Sequence, residues 1–376
     1  MIKTLLENFD VSAYLIPWLL LAFLFSFFIS LRSYPPLLYI AKEKHLFDEP
    51  DSRSIHSTKV PTLGGVGVYL SLILILSLAG AVLNSRILII TSGAITLLFF
   101  LGLKDDLLVL SPKKKFLGQI IASALLVTAT DIRIIGFSNI FSVEFLPYWA
   151  SILFTVFVFI LVINAYNLID GIDGLAGSIA VFSSCIFGVL FYQTNNVNAS
   201  TIAFTLVGAL LPFLWYNFSK NKKIFMGDTG SMIIGFLLAF FVVSFLSDTH
   251  YNHLSFYKNS GPVIGLAILF FPLMDTFRIF VIRIFVYKKS PFIADKNHVH
   301  HRFLALGYTH KQSTALIVVI NSIIVSIAFN LTHLEIHLQL FIMVFIGLIL
   351  FTIPFFLKTK VNFKKDKLQK KNSKHI

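Results

Sequence analysis

The chain has 376 residues, of which 56% are hydrophobic and only 13% are charged, and its mean hydropathy is +0.83. A soluble domain carries roughly 25% charged residues, so this composition excludes an ordinary soluble protein and indicates an integral membrane protein. The formal net charge of +13 does not indicate a nucleic-acid partner. A nucleic-acid-binding protein displays its basic residues on a folded polar domain, and the sequence has no such domain.

Apolar runs long enough to span a bilayer recur along the whole chain. They predict about eleven transmembrane helices: 14–31, 63–83, 87–103, 116–130, 148–166, 174–192, 200–216, 231–247, 261–286, 314–331 and 338–357. No small-residue cleavage site follows the first run, so we expect an uncleaved helix there. The predicted fold class is an all-α integral membrane protein, with one polytopic catalytic domain over residues 1–357.

Basic residues fall mostly on one side of the predicted membrane. One set of alternate loops, together with the C-terminal tail, holds most of the 31 lysines and arginines. Because basic loops stay in the cytoplasm, the N-terminus is predicted to lie outside and the C-terminus inside. Residues 358–376 form a lysine-rich tail, which we expect to be disordered and attracted to anionic membrane lipids.

Five polar segments fall on that same predicted cytoplasmic side. They are 45–65, 105–106, 164–173 (NAYNLIDGID), 225–231 (FMGDTGS) and 295–302 (DKNHVHHR). The orientation rests on lysine and arginine alone, so this coincidence independently supports one site that faces the cytoplasm.

Carboxylates are prominent in these segments, at helix ends where a charge is costly unless it is paired or bound to a metal. They are Asp105, Asp106, Asp170, Asp173 and Asp228. Carboxylate and amide oxygens suit a hard cation such as Mg²⁺. Other side chains provide partners for phosphate, namely His298, His300, His301, Arg302 and Lys115. Together these groups favour phosphoryl transfer, and the lack of a GxxxxGK[ST] loop excludes a P-loop enzyme.

Simpler structural interpretations compete at several positions. Asp228 could instead cap the helix that starts beside it. Asp275 lies three residues before Arg278, which favours a structural ion pair over catalysis. The three glycines of the DGIDGLAG stretch favour close helix packing. The HVHH stretch could hold zinc, but no cysteine or HExxH companion accompanies it.

Several longer stretches, in this order and spacing, resemble the polyprenyl-phosphate N-acetylhexosamine-1-phosphate transferase family (glycosyltransferase family 4). The matching stretches are DEPDSRSIHSTKVPTLGG (48–65), GLKDD (102–106), SPKKKFLGQ (111–119), NAYNLIDGIDGLAG (164–177), FMGDTGSM (225–232), PLMDT (272–276) and HVHHR (298–302). The chain is similar to the bacterial undecaprenyl-phosphate N-acetylglucosamine-1-phosphate transferase branch. The phospho-MurNAc-pentapeptide translocase branch carries three consecutive histidines where this chain has HVHH.

The resemblance implies that a UDP-N-acetylhexosamine, UDP-GlcNAc being the first choice, gives its sugar 1-phosphate to undecaprenyl phosphate and releases UMP. The product would be the lipid-linked sugar that initiates cell-envelope polysaccharide synthesis. The resemblance also implies Mg²⁺ as cofactor, for which Mn²⁺ can substitute, and a homodimer. It implies a multi-pass location in the cell inner (cytoplasmic) membrane with the active site facing the cytoplasm.

The resemblance also assigns roles to residues. It implies that Asp228 and Asn167 hold the metal, and that Asp105, Asp106 and Lys115 are catalytic. The donor-binding residues that it implies are Asp173, Phe225 and Asp170 for the nucleotide, and His298, His300, His301 and Arg302 for the donor phosphate and sugar.

Other interpretations stay open at this point. UDP-MurNAc-pentapeptide is the alternative donor, and a phospho-aspartate intermediate is the alternative to direct attack by the acceptor phosphate. Intramembrane acids also mark ion-coupled transporters, whose sites lie near the bilayer midplane and often between repeated halves. The stretch Met226-Gly227-Asp228 resembles part of the GxGD motif of intramembrane aspartyl proteases, but position 225 is Phe.

Overall fold

The computed structural model describes residues 11, 13–46, 60–138, 140, 143, 145–247, 260–288 and 298–357, and regular secondary structure within these ranges is almost entirely helical. The helices begin with α1 (Leu15–Glu43), α2 (Gly64–Val82), α3 (Arg86–Leu108), α4 (Pro112–Thr130), α5 (Tyr148–Ile169), α6 (Leu175–Gln193) and α7 (Val197–Asn217). They continue with α8 (Gly227–Ser247), α9 (Gly261–Ile268), α10 (Phe270–Val281), α11 (Val299–Leu306), α12 (His310–Asn330) and α13 (Ile336–Phe356). The predicted tail, 358–376, and most of the first polar segment, 47–59, lie outside the described residues.

Nine of the described helices are long and apolar enough to cross a membrane, or ten if the bent pair α9–α10 counts as one span. The chain is therefore an all-helical, multi-pass membrane protein, which confirms the predicted class. The predicted count of eleven is not confirmed. The run at 116–130 does form a helix, α4, but three lysines in its first turn set it apart from the apolar spans. The orientation of the termini stays a prediction.

Helix α1 is longer than the predicted 14–31, because it continues through the proline pair 35–36. Contacts with α2 and α7 hold this extension. The Tyr34 ring centroid lies 5.0 Å from that of Tyr216, and the Tyr34 hydroxyl donates to the Gly64 carbonyl at 3.3 Å. Tertiary packing thus outweighs the helix-breaking tendency of proline at this point.

Helix α8 lies at the centre of the fold, and each residue from Thr229 to Phe245 is buried. Glycines let neighbouring helices approach its backbone. A Cβ built on Gly65 of α2 would lie 2.1 Å from Gly230 N, and one built on Gly102 of α3 would lie 2.5 Å from Thr229 Cα. Small residues of this kind allow the close packing that holds helices together in lipid. They bring the start of α8, the start of α2 and the end of α3 to one place.

The prediction of a single helix over 261–286 is wrong, because α9 and α10 meet at an angle of 76°. Pro272 has no N–H to donate to the carbonyl four residues earlier, that of Ile268. The fully buried Asn321 of α12 replaces that donor. Its Nδ2 donates to the Ile268 carbonyl at 3.1 Å, and its Oδ1 accepts from Phe271 N at 3.2 Å. These two backbone polar groups at the break are thereby satisfied inside the protein, as a membrane interior requires.

Candidate active site

The end of α3, the start of α4 and the start of α8 place a lysine between two carboxylates. Lys115 Nζ lies 2.5 Å from Asp105 Oδ2 and 2.5 Å from Asp228 Oδ2. Leu110 N donates to the other oxygen of Asp105 at 2.6 Å, which fixes that carboxylate. The Lys115 side chain is 27% exposed, so it is not sealed inside the protein.

Asp106 caps helix α8 from the neighbouring helix α3. Its Oδ1 accepts from Asp228 N at 2.7 Å, and its Oδ2 accepts from Thr229 N at 3.0 Å and from Thr229 Oγ1 at 2.5 Å. A carboxylate at this position satisfies the free N–H groups that begin a helix and complements the positive end of its dipole. The interpretation that Asp228 caps its own helix is therefore not supported, and its carboxylate contacts Lys115 instead.

Helix α5 ends beside the same carboxylate. Asn167 Nδ2 donates to Asp228 Oδ1 at 3.0 Å and to Ser231 Oγ at 2.7 Å, and within the described ranges the amide oxygen of Asn167 accepts no hydrogen bond. Asp170 follows α5 directly, and among the same residues its carboxylate has no hydrogen-bond partner. Burial, and then repulsion from Asp228 and other nearby carboxylates, raises the pKa of Asp170 to about 7.

We refer to Asp105, Asp106, Asp170, Asp228 and Lys115 as the acidic cluster. Lys115, the one ammonium of the cluster, contacts two of its four carboxylates, so ionisation of all four leaves negative charge in excess. The residues predicted to hold Mg²⁺ fit that ion, since the Asp228 carboxylate and the Asn167 amide oxygen are hard donors. No group of three or more carboxylate, imidazole or thiol side chains forms a metal cage in the described part of the chain. Mg²⁺ usually keeps several waters and takes other ligands from substrate phosphates, so two protein ligands suffice.

The start of α2 fixes the backbone of Phe225. Phe225 N donates to the Pro61 carbonyl at 2.8 Å, and Gly64 N donates back to the Phe225 carbonyl at 2.8 Å. A Cβ on Gly64 would lie 2.4 Å from that carbonyl, so only glycine permits this approach. The PTLGG and FMGD stretches therefore form one unit.

The loop between α5 and α6 places Asp173 against two basic side chains. Lys223 Nζ lies 2.7 Å from Asp173 Oδ2, and His310 Nδ1 lies 2.9 Å from the same oxygen. Burial opposes ionisation of Asp173, but hydrogen bonds from His310 and Lys223 outweigh it and lower the pKa of this carboxyl below its usual value. Lys223 Nζ also lies 5.3 Å from the centroid of the Phe225 ring. We call these four residues the Asp173 cluster. Asp173 and Phe225 were predicted from the sequence to act together, whereas Lys223 and His310 were not predicted.

Three imidazoles lie together at the start of α11. The His298 and His300 rings are nearly parallel with centroids 5.6 Å apart, and the His300 and His301 centroids are 4.3 Å apart. The fully buried Asp275 of α10 holds the group in place. His298 Nδ1 lies 2.7 Å from Asp275 Oδ2, and Val299 N donates to Asp275 Oδ1 at 3.0 Å. We call these three histidines with Asp275 the imidazole cluster.

The predicted ion pair of Asp275 is present but is not its closest contact. Arg278 Nη2 lies 3.7 Å from Asp275 Oδ1, whereas the contact with His298 is 2.7 Å. Asp275 therefore acts chiefly on the imidazole cluster, a role that the spacing of Asp275 and Arg278 did not reveal.

His300 of the imidazole cluster packs against Gly171, which directly follows Asp170 of the acidic cluster. It is 1% exposed, and neither of its ring nitrogens has a hydrogen-bond partner among the described residues. Burial, and then repulsion from His301, lowers the pKa of His300 to about 3, so the ring is neutral at pH 7. A Cβ on Gly171 would lie 2.3 Å from His300 Nε2. Gly171, predicted to serve helix packing, instead makes room for His300 beside Asp170.

Arg302 is directed to the end of α13. Its Nε donates to the Pro354 carbonyl at 3.0 Å, and its Nη2 donates to the carbonyls of Phe355 at 3.1 Å and Leu357 at 2.6 Å. The last carbonyls of a helix have no partner within the helix, so a basic side chain there stabilises the helix end. The predicted contact of Arg302 with the donor phosphate stays a prediction, and this geometry gives it no support.

The chain resembles known proteins both in one family region and over most of its length. A family model described as Glycosyl transferase family 4 matches residues 88–246. This range contains all residues of the acidic cluster, from the end of α3 to the start of α8. It does not contain the imidazole cluster.

Individual relatives cover more of the chain. The probable undecaprenyl-phosphate N-acetylglucosaminyl 1-phosphate transferase of Bacillus subtilis is 32% identical over 81% of this chain and 82% of its own length. The decaprenyl-phosphate N-acetylglucosaminephosphotransferase of Mycobacterium leprae is 32% identical over 71% of this chain and 72% of its own length. The undecaprenyl-phosphate alpha-N-acetylglucosaminyl 1-phosphate transferase of Escherichia coli K12 is 28% identical over 85% of this chain and 84% of its own length. Similarity at this level over most of both chains confirms the resemblance carried by the motifs, and the chain belongs to glycosyl transferase family 4.

Proposed function

We propose that this protein transfers N-acetylglucosamine 1-phosphate from UDP-N-acetylglucosamine to undecaprenyl phosphate and releases UMP. The names of the relatives support the sugar phosphate and the polyprenyl phosphate acceptor. The structural observation that carries the proposal is the acidic cluster. Lys115 between Asp105 and Asp228 offers a donor to phosphate oxygens, and the surplus carboxylates call for a cation that a pyrophosphate would share.

In the proposed reaction an oxygen of undecaprenyl phosphate attacks the β-phosphorus of the donor. A new P–O bond forms to the acceptor oxygen, and the bond from the β-phosphorus to the bridging oxygen breaks. Its electron pair leaves on the phosphate of UMP, and the lipid carries the diphosphate and the sugar. Catalysis of this step depends on positioning and on neutralising charge.

The protein side chains divide this work. Lys115 binds a phosphate oxygen and Asp105 holds the lysine in place. Asp106 holds the start of α8, and with it Asp228, in register with α3. When bound, Mg²⁺ held by Asp228 and the Asn167 amide oxygen supplies neutralisation of the pyrophosphate and of the departing UMP.

At the donor end, the Asp173 cluster binds the nucleotide and the imidazole cluster binds the sugar phosphate. The Phe225 ring provides a stacking face for the uracil base, and the Asp173 carboxylate accepts a hydrogen bond from it. The neutral His300, whose two nitrogens lack partners in the described structure, offers hydrogen bonds to the donor. The His301 ring lies beside it at an interplanar angle of 47°.

Direct attack is favoured over a phospho-aspartate intermediate. Both oxygens of Asp106 accept hydrogen bonds from α8, and both oxygens of Asp105 are engaged by Leu110 and Lys115. A bond from either carboxylate to phosphorus would weaken the contacts that its oxygens make here. The contacts of the acidic pair therefore support the acceptor phosphate as the nucleophile.

The alternatives have less support. The relatives compared are named for N-acetylglucosamine, which disfavours UDP-MurNAc-pentapeptide as donor. An ion-coupled transporter would hold its acids near the membrane midplane, whereas Asp105, Asp106 and Asp228 lie at helix ends. The excess of basic residues on one set of loops supports a site that faces the cytoplasm.

The test is UMP release by purified protein in detergent. We expect release only when undecaprenyl phosphate, UDP-N-acetylglucosamine and Mg²⁺ or Mn²⁺ are present together, and competition by UDP-N-acetylgalactosamine and UDP-MurNAc-pentapeptide should be weaker. Transfer that persists in excess EDTA would contradict the metal assignment. Preferential turnover of the pentapeptide donor would overturn the choice of sugar while leaving the reaction class intact.

A further inference from the structure

The Asp173 cluster contains two residues that no motif assigned. Lys223 lies in the connection between α7 and α8, and His310 is the first residue of α12, so the two reach Asp173 from separate elements. Both contact Asp173 Oδ2, at 2.7 Å and 2.9 Å. Among the described residues the second oxygen, Oδ1, has no partner. Oδ2 is thus held by Lys223 and lies against the His310 ring, whose Nδ1 also accepts from Asp173 N at 3.3 Å, and Oδ1 is left for a ligand.

The backbone around this carboxylate is also fixed. Asn217, which is buried at the end of α7, accepts from Gly174 N at 2.6 Å and donates to the Ile224 carbonyl at 2.8 Å. Gly174 has a φ of +75°, and a Cβ there would lie 1.9 Å from the Phe218 ring. The buried side-chain amide of Asn217 therefore links the loop that contains Asp173 to the segment that contains Lys223 and Phe225.

Helix α12 provides a second tie. Thr314 Oγ1 donates to the main-chain carbonyl of Asp173 at 3.0 Å. The N-terminus of α12 is itself ordered by a capping box in which Thr309 and Gln312 satisfy each other's backbone N–H groups. His310 is thus presented to Asp173 from a rigid helix start.

We propose that Lys223 and His310 are positioning residues that turn Asp173 into a dedicated hydrogen-bond acceptor beside the Phe225 ring, and so select uracil over cytosine. This inference rests on the proposed function, in which the Asp173 cluster binds the donor nucleotide. Uracil has an N–H at ring position 3, and this group can donate a hydrogen bond to an ionised carboxylate. Cytosine presents a lone pair at the same position, which the carboxylate repels. Lys223 also contacts the Phe225 ring, so it fixes the position of the Asp173 carboxylate relative to that ring.

The experiment compares UMP and CMP binding to purified protein by calorimetry. The variants are Lys223→Met and His310→Ala, each beside a conservative partner, Lys223→Arg or His310→Asn, which keeps an N–H donor. Lys222→Met is the matched control, because this adjacent lysine is exposed and its side chain makes no contact with Asp173. Thermal melting of each variant checks the fold, and the KM and kcat for the donor are measured in parallel.

We expect Lys223→Met and His310→Ala to weaken UMP binding by about tenfold to hundredfold, the usual worth of a charge-assisted hydrogen bond. The preference for UMP over CMP should decrease together with the affinity for UMP. The donor KM should rise with little change in kcat, the pattern of lost ground-state binding. The conservative variants should recover most of the affinity, and Lys222→Met should match the unmodified protein.

Unchanged UMP affinity in folded Lys223→Met and His310→Ala would overturn the inference. Loss of kcat at unchanged KM would also overturn it, since both residues would then act in the chemical step. If Lys223→Met fails to fold, the affinities for UMP and CMP are compared in Lys223→Arg and His310→Asn instead. Both of these variants must retain the preference for UMP. Failure of the proposed function looks different, because the unmodified protein itself would then bind neither UMP nor the donor.

Discussion

The acidic cluster and the imidazole cluster come near each other at Gly171, where His300 packs beside the residue that follows Asp170, but they are built in different ways. The acidic cluster sits at the ends of long helices, and Lys115 within it is partly exposed. The imidazole cluster is carried by the short helix α11, and its anchor Asp275 is completely buried. The carboxylates of the first outnumber its cation, whereas both oxygens of the carboxylate of the second are held by hydrogen bonds with His298 and Val299.

The difference indicates a division of roles. A cluster with excess charge and solvent access is suited to receiving ligands of opposite charge, here a cation and the phosphates that it shares. A buried, internally satisfied carboxylate is suited to positioning other groups, because its hydrogen bonds fix them in one geometry. We therefore expect substitution of Asp228 to abolish turnover with the fold intact, and substitutions of Asp275 and of Asp106, which caps α8, to cost stability as well.

The largest effect is expected for Asp228→Asn. It removes a charge that faces Lys115 and the proposed metal, so the pyrophosphate is poorly neutralised in the transition state. Turnover should fall by roughly 10²–10³ or more, with unchanged melting temperature. Near-normal turnover at saturating Mg²⁺ would show that Asp228 has a structural role and not a catalytic one.

The contact between the two clusters is tested by Gly171→Ala. The new methyl group would collide with the His300 ring, and a displacement of about 1 Å at a reacting group can cost about 10²-fold in rate. Adding His300→Ala removes the collision, so the double variant should be no slower than His300→Ala alone. Independent, additive losses in this double-mutant cycle would show that the two positions are not coupled.

Within the imidazole cluster, Asp275→Asn should lower the free energy of unfolding by about 1.5–3 kcal/mol, the range for a hydrogen bond to a charged group. It should also slow turnover by misplacing His298. The control is Asp131→Asn, because Asp131 pairs with Arg133 but is 62% exposed, and such surface pairs contribute little. Equal stability of the two variants in thermal melting would argue against the anchoring role of Asp275.

The smallest effect is expected outside both clusters. Removal of residues 359–376 should leave kcat and KM unchanged, because this lysine-rich tail lies beyond the matching motifs and its expected partner is anionic lipid. An inactive yet correctly inserted truncated protein would show that the tail contributes to the site.

The acidic cluster was predictable to a large extent. Its residues stand in short motifs at the ends of apolar runs, so the sequence indicated both their type and their common side. What each carboxylate does was less visible. Asp106 and Asp105 are adjacent in sequence, yet one caps α8 and the other pairs with Lys115. That distinction depends on how closely α3 and α8 approach, which the glycines allow and the motif does not specify.

The imidazole and Asp173 clusters were less predictable because distant elements complete them. The break between α9 and α10 requires a donor for the Ile268 carbonyl, and that donor is Asn321 of α12. Hydropathy averages over such a break and reads one continuous helix. His310 gave no local signal either, since only the packing of α12 against the Asp173 loop gives it a partner.

The fate of the β-phosphorus distinguishes transfer of the sugar phosphate from transfer of the sugar alone. UDP-N-acetylglucosamine carrying one radiolabel on the β-phosphorus and another on the sugar is incubated with purified protein, undecaprenyl phosphate and Mg²⁺. We expect both labels to enter the lipid fraction in equal amounts and unlabelled UMP to be released. Sugar label in the lipid with the phosphorus label left on UDP would contradict this expectation, because the protein would then transfer the sugar and not the sugar phosphate.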